Sequence, residues 1–166
     1  MQAIKTGRLS LEPQVAAHAE EMFAILSDPA IYEHENAPPC SLEWLRERYT
    51  RLESRRSADG EQQWLNWVIR LPGGELIGYV QATVFPGGRA AIAYELASRY
   101  WGRGLAREAC QAMLAALAAE YGVRSAHAVF KRTNTRSSRL LDRLGFTPAP
   151  GDGEAEPDEL RMVRRL

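Results

Sequence analysis

Tyr94-Glu95-Leu96-Ala97-Ser98-Arg99-Tyr100-Trp101-Gly102-Arg103-Gly104-Leu105-Ala106-Arg107-Glu108-Ala109 is the stretch that decides the fold. It begins as a strand, turns on two glycines one residue apart, and runs into an alanine-rich helix that should reach about Tyr121. A strand, a glycine turn and a helix start in that order make an anion cradle. Unpaired backbone N–H groups and the positive end of the helix dipole point the same way. Gly102 and Gly104 allow a sharp turn and a close approach to a ligand with no Cβ in between. Arg103 and Arg107 add positive charge beside it. The expected ligand is a phosphate or pyrophosphate.

Two phosphate-loop readings fail on spacing. A dinucleotide fingerprint G-x-G-x-x-G would need glycine where Arg107 stands. A P-loop would need G-K-[ST], and nothing of that kind follows Gly104. Trp101-Gly102-Arg103-Gly104-Leu105-Ala106 instead resembles the pyrophosphate loop [Q/R]-x-x-G-x-[G/A] of the GNAT acyltransferases, with Trp101 departing from the usual Gln or Arg. A second stretch, Asn134-Thr135-Arg136-Ser137-Ser138-Arg139-Leu140-Leu141-Asp142-Arg143-Leu144-Gly145-Phe146, is similar to the family's N-x-x-S-x-[RK]-[LV]-[LI]-[ED]-[KR]-x-G-F. It also reads as a helix on physical grounds. Leu140, Leu141 and Leu144 make an apolar stripe, and Gly145 suits a left-handed position that ends it. A third, Thr6-Gly7-Arg8-Leu9-Ser10-Leu11, is like the opening T-x-R-L-x-L of the ribosomal-protein N-terminal acetyltransferase (RimJ/RimL-type) branch. The three lie in the family's order and span nearly the whole chain.

Outside these motifs the pattern is orderly. Ala3 to Leu11 reads as a first strand ended by Pro13, and Gln14 to Leu26 as a helix with Val15, Ala19, Met22 and Leu26 on one face. Ile31 to Cys40 reads as a loop. Ser41 is a good N-cap for a helix carrying Leu42, Leu45, Tyr49 and Leu52. Ser54 to Gln63 is a polar surface loop. Trp64–Arg70, Glu75–Phe85 and Ala90–Ala97, separated by short Gly/Pro turns, predict an antiparallel meander. The long helix should bury Ala106, Ala109, Cys110, Met113, Leu117 and Tyr121 and turn Arg107, Glu108 and Gln111 outward. Ser125–Phe130 follows a helix, so it should pair parallel to the strand before it. Phe146 opens a further strand, and Glu159–Arg164 should close the sheet. The expectation is one domain over residues 1–166: an α/β (α+β) GNAT fold, with a mixed, mostly antiparallel sheet and helices on both faces. The resemblance implies that the Ala90 and Ser125 strands splay apart to receive the pantetheine arm of acetyl-CoA.

It also implies roles residue by residue. The loop Gly102 to Arg107, with Leu105 and Ala106 at the helix start, would hold the pyrophosphate. Leu96 and Ala97 would lie along the cofactor, with the Leu96 N–H aimed at the thioester carbonyl. Asn134 would bind the pantetheine arm, cap its own helix, or do both. Ser137 would protonate the departing thiolate; otherwise it is a neutral first-turn residue. Many relatives carry a glutamate early in the fourth strand as base, but here those positions are Ala90 and Ala91. Glu95 shares the parity of Ala91 and is the candidate base. Glu33, His34 and Glu35 fall in the loop that borders the acceptor site in the family; the plainer reading is a solvated surface. His127 reads as a packed histidine, and Trp44, Trp64, Trp67 and Trp101 as core or cleft walls.

Composition bounds the partners. Lys and Arg number 21, as do Asp and Glu, so the formal net charge is zero and nothing suggests nucleic-acid binding. Two cysteines, Cys40 and Cys110, make no disulfide scaffold and suit a reducing cytoplasm. No His/Cys/carboxylate spacing suggests a metal, and no apolar run suggests a membrane span. A monomer or homodimer is expected. The acceptor would be an amine, a protein N-terminus by resemblance. A small-molecule amine or antibiotic acetyltransferase, and a non-catalytic acyl-CoA sensor, are the alternatives.

Overall fold

Period-two alternation builds the sheet, and 3.6-residue periodicity builds what covers it. The computed structural model describes residues 1–34, 37–149 and 156–166. In chain order the strands are β1 (Ile4–Lys5), β2 (Ser10–Pro13), β3 (Gln63–Arg70), β4 (Leu76–Phe85), β5 (Arg89–Leu96), β6 (Ser125–Lys131), β7 (Thr147–Pro148) and β8 (Glu159–Arg165). The helices are α1 (Ala19–Leu26), α2 (Leu42–Leu52), α3 (Leu105–Tyr121) and α4 (Thr135–Arg143). One sheet runs β1-β2-β3-β4-β5-β6-β8-β7. Every pairing is antiparallel except β5 with β6, which is parallel. Trp67, Val68 and Ile69 of the central β3 are all buried, so both faces of that strand are covered.

Three expectations need correction. The first strand is two. Thr6 folds the chain back on Leu9, its N–H donating to Leu9 O at 2.9 Å and its hydroxyl oxygen accepting from Leu9 N at 3.0 Å. Pro13 does not end β2 but belongs to it, opposite Trp67. β1 reaches only Ser10 and Leu11, so beyond them β2 is an edge where a missing N–H is tolerated. The helix expected from Gln14 begins as a 3-10 turn, Ala16–His18, and becomes α-helical only at Ala19. Gln14 itself is buried, its N–H donating to Asn66 O at 2.9 Å. Finally, the last strand does not close the sheet. β8 matches β6 along all of it, Ser125↔Arg165 to Lys131↔Glu159, and sits inside. The edge is β7, two residues ending in Pro148, which has no N–H to offer a further strand.

The parallel pair positions the site. β5 and β6 are in register only at Arg89↔Ser125, Ala90↔Ala126 and Ala91↔His127. Beyond Ala91, β5 stays with β4 and β6 with β8, so the two diverge as the resemblance implied.

Candidate active site

The divergence opens a cleft of about 480 Å³ whose walls include Tyr94, Leu96, Ala128, Phe130 and Leu140. Its mouth meets the start of α3. Gly102 (φ 74°) and Gly104 (φ 75°) are both left-handed, which is why glycine stands at each. The first bond within α3 runs from Glu108 N to Gly104 O at 3.1 Å. The N–H groups of Leu105, Ala106 and Arg107 therefore precede the helical ladder and form the positive end of the helix. Arg107 lines the cleft. The Arg103 guanidinium lies over the Tyr100 ring instead, 5.4 Å from its centroid.

The opening motif explains itself here. Thr6 Oγ1 (2.6 Å), Arg8 N (2.9 Å) and Arg8 Nε (2.7 Å) all donate to the Glu108 carboxylate. Arg8 Nη1 also donates to Arg103 O at 3.1 Å. Glu108 was expected to face outward; it is instead the half-buried clamp that fastens the glycine loop to the β1–β2 turn. Burial pushes its carboxyl up, but the Thr6 and Arg8 donors outweigh that and hold it below the usual range.

The end of β5 is held from both sides. Ala97 N donates to Ile77 O at 2.9 Å. Antiparallel alternation then turns the N–H and C=O of Leu96 away from β4, toward β6. The carbonyl is taken by Trp101 Nε1 at 2.9 Å. Gly78, across from Leu96 at φ 154°, lets the strands close: a Cβ there would lie 2.0 Å from Glu95 O. The motif departure at Trp101 thus has a local role that the sequence did not reveal.

Glu95 lines the cleft. The β4–β5 register is unbroken from Phe85↔Arg89 to Gly78↔Leu96, so Glu95 does share the face of Ala91, opposite Tyr79. The hydroxyls of Tyr32 and Tyr79 are close enough to feel its charge. Burial, then the Glu95 charge, pushes Tyr32 up to about 12, and the same two causes raise Tyr79.

Asn134 caps α4, its Oδ1 accepting from Ser137 N at 3.0 Å, and both residues line the cleft. Arg136 was not singled out from sequence. Its guanidinium covers the Trp101 ring at 3.9 Å and donates to Glu33 Oε2 at 2.9 Å. That contact, with the Arg136 charge, holds the Glu33 carboxyl below its ordinary range. His34 reaches the same helix start, its Nδ1 lying 3.2 Å from Thr133 Oγ1, and it lines the cleft. Glu35 lies outside the described residues.

The remaining candidates separate cleanly. His127 stacks on Phe85, ring centroids 6.3 Å apart, away from the cleft. Cys110 is fully buried, and burial raises its thiol. Trp67 is core, but Trp44, expected in core or cleft, is 40% exposed on the outside of α2. Among the described residues no group of three or more His, Cys, Asp or Glu could hold a metal ion, and no helix is long and apolar enough to cross a membrane.

Comparison with known proteins agrees with this geometry. Residues 8–147 match the acetyltransferase (GNAT) domain family. The chain is 26% identical over 153 residues to an uncharacterized N-acetyltransferase, p20, of Bacillus licheniformis, covering 88% of this chain and 83% of that one. A GNAT-family acetyltransferase of Bordetella pertussis superposes with a TM-score of 0.75 at 28% identity, over 99% of both chains. RimL, the ribosomal L7/L12 alpha-N-protein acetyltransferase, solved in complex with coenzyme A, superposes at 0.85 over 99% of this chain and 98% of its own, at 19% identity.

Proposed function

The chain belongs to the GNAT acetyltransferase family, and on that premise we propose that it moves an acetyl group from acetyl-CoA directly to a primary amine at the inner end of the β5–β6 cleft. The observation that carries this is the short parallel pairing, which ends at Ala91 and leaves a cleft running from the α3 start to Leu96. Acetyl-CoA supplies the activated acyl group as a thioester. The N–H groups of Gly102 to Arg107 hold its pyrophosphate, and Asn134 and the strand edges hold the arm. The Leu96 N–H, turned toward β6, donates to the acetyl carbonyl as negative charge gathers on that oxygen. Glu95, directly or through water, takes the proton from the attacking nitrogen as the C–N bond forms. Ser137 gives its hydroxyl proton to the sulfur as the C–S bond breaks and regains one from solvent.

RimL acts on a protein α-amine, by its description, and we take a protein N-terminus as the first acceptor to try. The test is thiol release with acetyl-CoA across peptides and small amines, for wild type and Glu95→Gln from about pH 6 to 9. The expected result is release on an amine acceptor, with kcat lowered and its pH dependence steepened in the variant at unchanged acetyl-CoA affinity. Wild-type kinetics in Glu95→Gln would remove it as the base. Acetyl-CoA binding without release on any amine would make the protein an acyl-CoA sensor instead.

A further inference from the structure

A second cavity, of about 420 Å³, lies beneath α2. Asn66, Gln81 and Thr83 line it from the sheet, Trp64 stands beside them, and Arg48 and Arg51 come from the helix. Asn66 is only 5% exposed as a residue, and its side-chain amide faces the cavity. The side chains of Gln81 and Thr83 are unpartnered among the described residues. These side chains open onto the cavity and can bond there to an occupant or to water. Neither arginine has a carboxylate within ion-pair distance among the described residues; Arg48 rests 5.7 Å from the Trp44 ring centroid. Two guanidinium forks, two amides and a hydroxyl, with no acidic side chain lining the cavity, form a donor set suited to a carboxylate.

The cavity is next to the reacting end of the cleft. Gln81 pairs with Ala93, and Ala93 lines the cleft. One step along the same face is Tyr79 opposite Glu95; one step the other way is Thr83 opposite Ala91. Ala91 and Ala93 carry small side chains, so little stands above the sheet between the two. Arg48 is close enough to act on the Tyr79 hydroxyl, as Glu95 also does. Two to four strand residues separate Glu95 from the cavity floor, about 7 to 13 Å.

We propose that this cavity binds a carboxylate of the acceptor, so that the preferred substrate is a primary amine bearing an acidic group about 7 to 13 Å from its nitrogen. This rests on the reading of Leu96 and Glu95 as the place of acetyl transfer. Such an acid is found in a peptide with Asp or Glu at its second to fourth residue, and equally in a small ω-amino acid of matching length.

The experiment compares acid and amide pairs. Peptides with Glu at position two, three or four are set against their Gln counterparts, and ω-amino acids against their carboxamides, with wild type and Arg48→Gln/Arg51→Gln. Because each ratio is taken within one protein preparation, incomplete folding cancels. Wild type should prefer the acids by about tenfold or more in kcat/KM, the worth of a charge-assisted contact, and the double variant should lose the preference. A preference confined to the peptides or to the ω-amino acids identifies the source of the carboxylate. Equal turnover of acid and amide by wild type, or a ratio that survives in the variant, overturns the proposal. Binding of the same Glu and Gln peptides to the CoA-loaded protein, followed by calorimetry, reads the cavity without turnover. A Glu preference there that vanishes in the double variant supports the site even if no acetyl is transferred, and equal binding of both peptides rejects it.

Discussion

Trp101 stands where the family motif has Gln or Arg, and what it touches gives the substitution a meaning. Its Nε1 holds Leu96 O while its ring carries the Arg136 guanidinium. With that carbonyl engaged, the Leu96–Ala97 peptide keeps one orientation, which restrains ψ at Leu96 and so the end of β5 that carries the Leu96 N–H. Trp101→Phe keeps an aromatic surface for Arg136 but deletes the donor. It should lower kcat by up to about tenfold, the range for one neutral hydrogen bond, with acetyl-CoA affinity little changed. Steady-state kinetics beside a calorimetric titration check this; loss of affinity at full kcat would mean that Trp101 acts as a wall for the cofactor and not as a holder of Leu96. The placement of Glu95 on the face of Ala91 was readable from sequence through parity, because the β4–β5 ladder has no bulge. The roles of Trp101, Arg136 and Gly78 were not, since each depends on a contact with a residue far away or on a positive φ, and neither leaves a local pattern.

At the scale of elements, the helices and hairpins followed their sequence signals closely. α2 begins at its Ser41 cap, whose Oγ accepts from Trp44 N at 3.0 Å. α3 ends at a left-handed Gly122, and Gly145 terminates the stretch after α4 with φ 78°. The misreadings fell where side-chain bonding overrides periodicity: Thr6 folds one expected strand into two, and Glu108 turns inward from an expected outer face. The Glu108 clamp can be tested by pH. Its carboxyl is lowered in the folded protein, so its stabilising effect is present above the unfolded value of roughly 4.3 and is lost as pH falls through the lower folded value. Wild type should therefore unfold at higher denaturant than Glu108→Gln near neutrality, and the gap should narrow as pH drops below about 4.3. A pH-independent gap would show that the side chain acts by packing and not by charge. Acetyl-CoA affinity in the variant should also fall, because the clamp fixes Arg8 against the Arg103 carbonyl.

For the whole molecule, a single topological feature opens the cleft: one parallel pairing in an otherwise antiparallel sheet, abandoned after three residue pairs. The parallel sense was legible, because a helix separates the two strands and a crossover must return the chain in the same direction. The placement of β8 between β6 and β7 was not, since register among short terminal strands is settled by partners outside any local pattern. That placement matters, because β8 stays paired with β6 beyond His127, where β6 has left β5. The cleft so formed predicts a preference that a helix start alone would not give. A helix N-terminus attracts any pyrophosphate, whereas a gap between strands admits a long flexible arm and has no place for a second nucleoside.

Calorimetric titration of acetyl-CoA into wild type and Gly104→Val, with NAD as competitor, tests that claim most directly. The account predicts saturable binding to wild type that NAD displaces only weakly. At a hundredfold excess over Kd, binding should also stabilise the fold by roughly 2.7 kcal/mol. It predicts loss of binding in a folded Gly104→Val, because valine resists the left-handed conformation seen at φ 75°. Undiminished binding to a folded Gly104→Val, or displacement by NAD as readily as by coenzyme A, would contradict it.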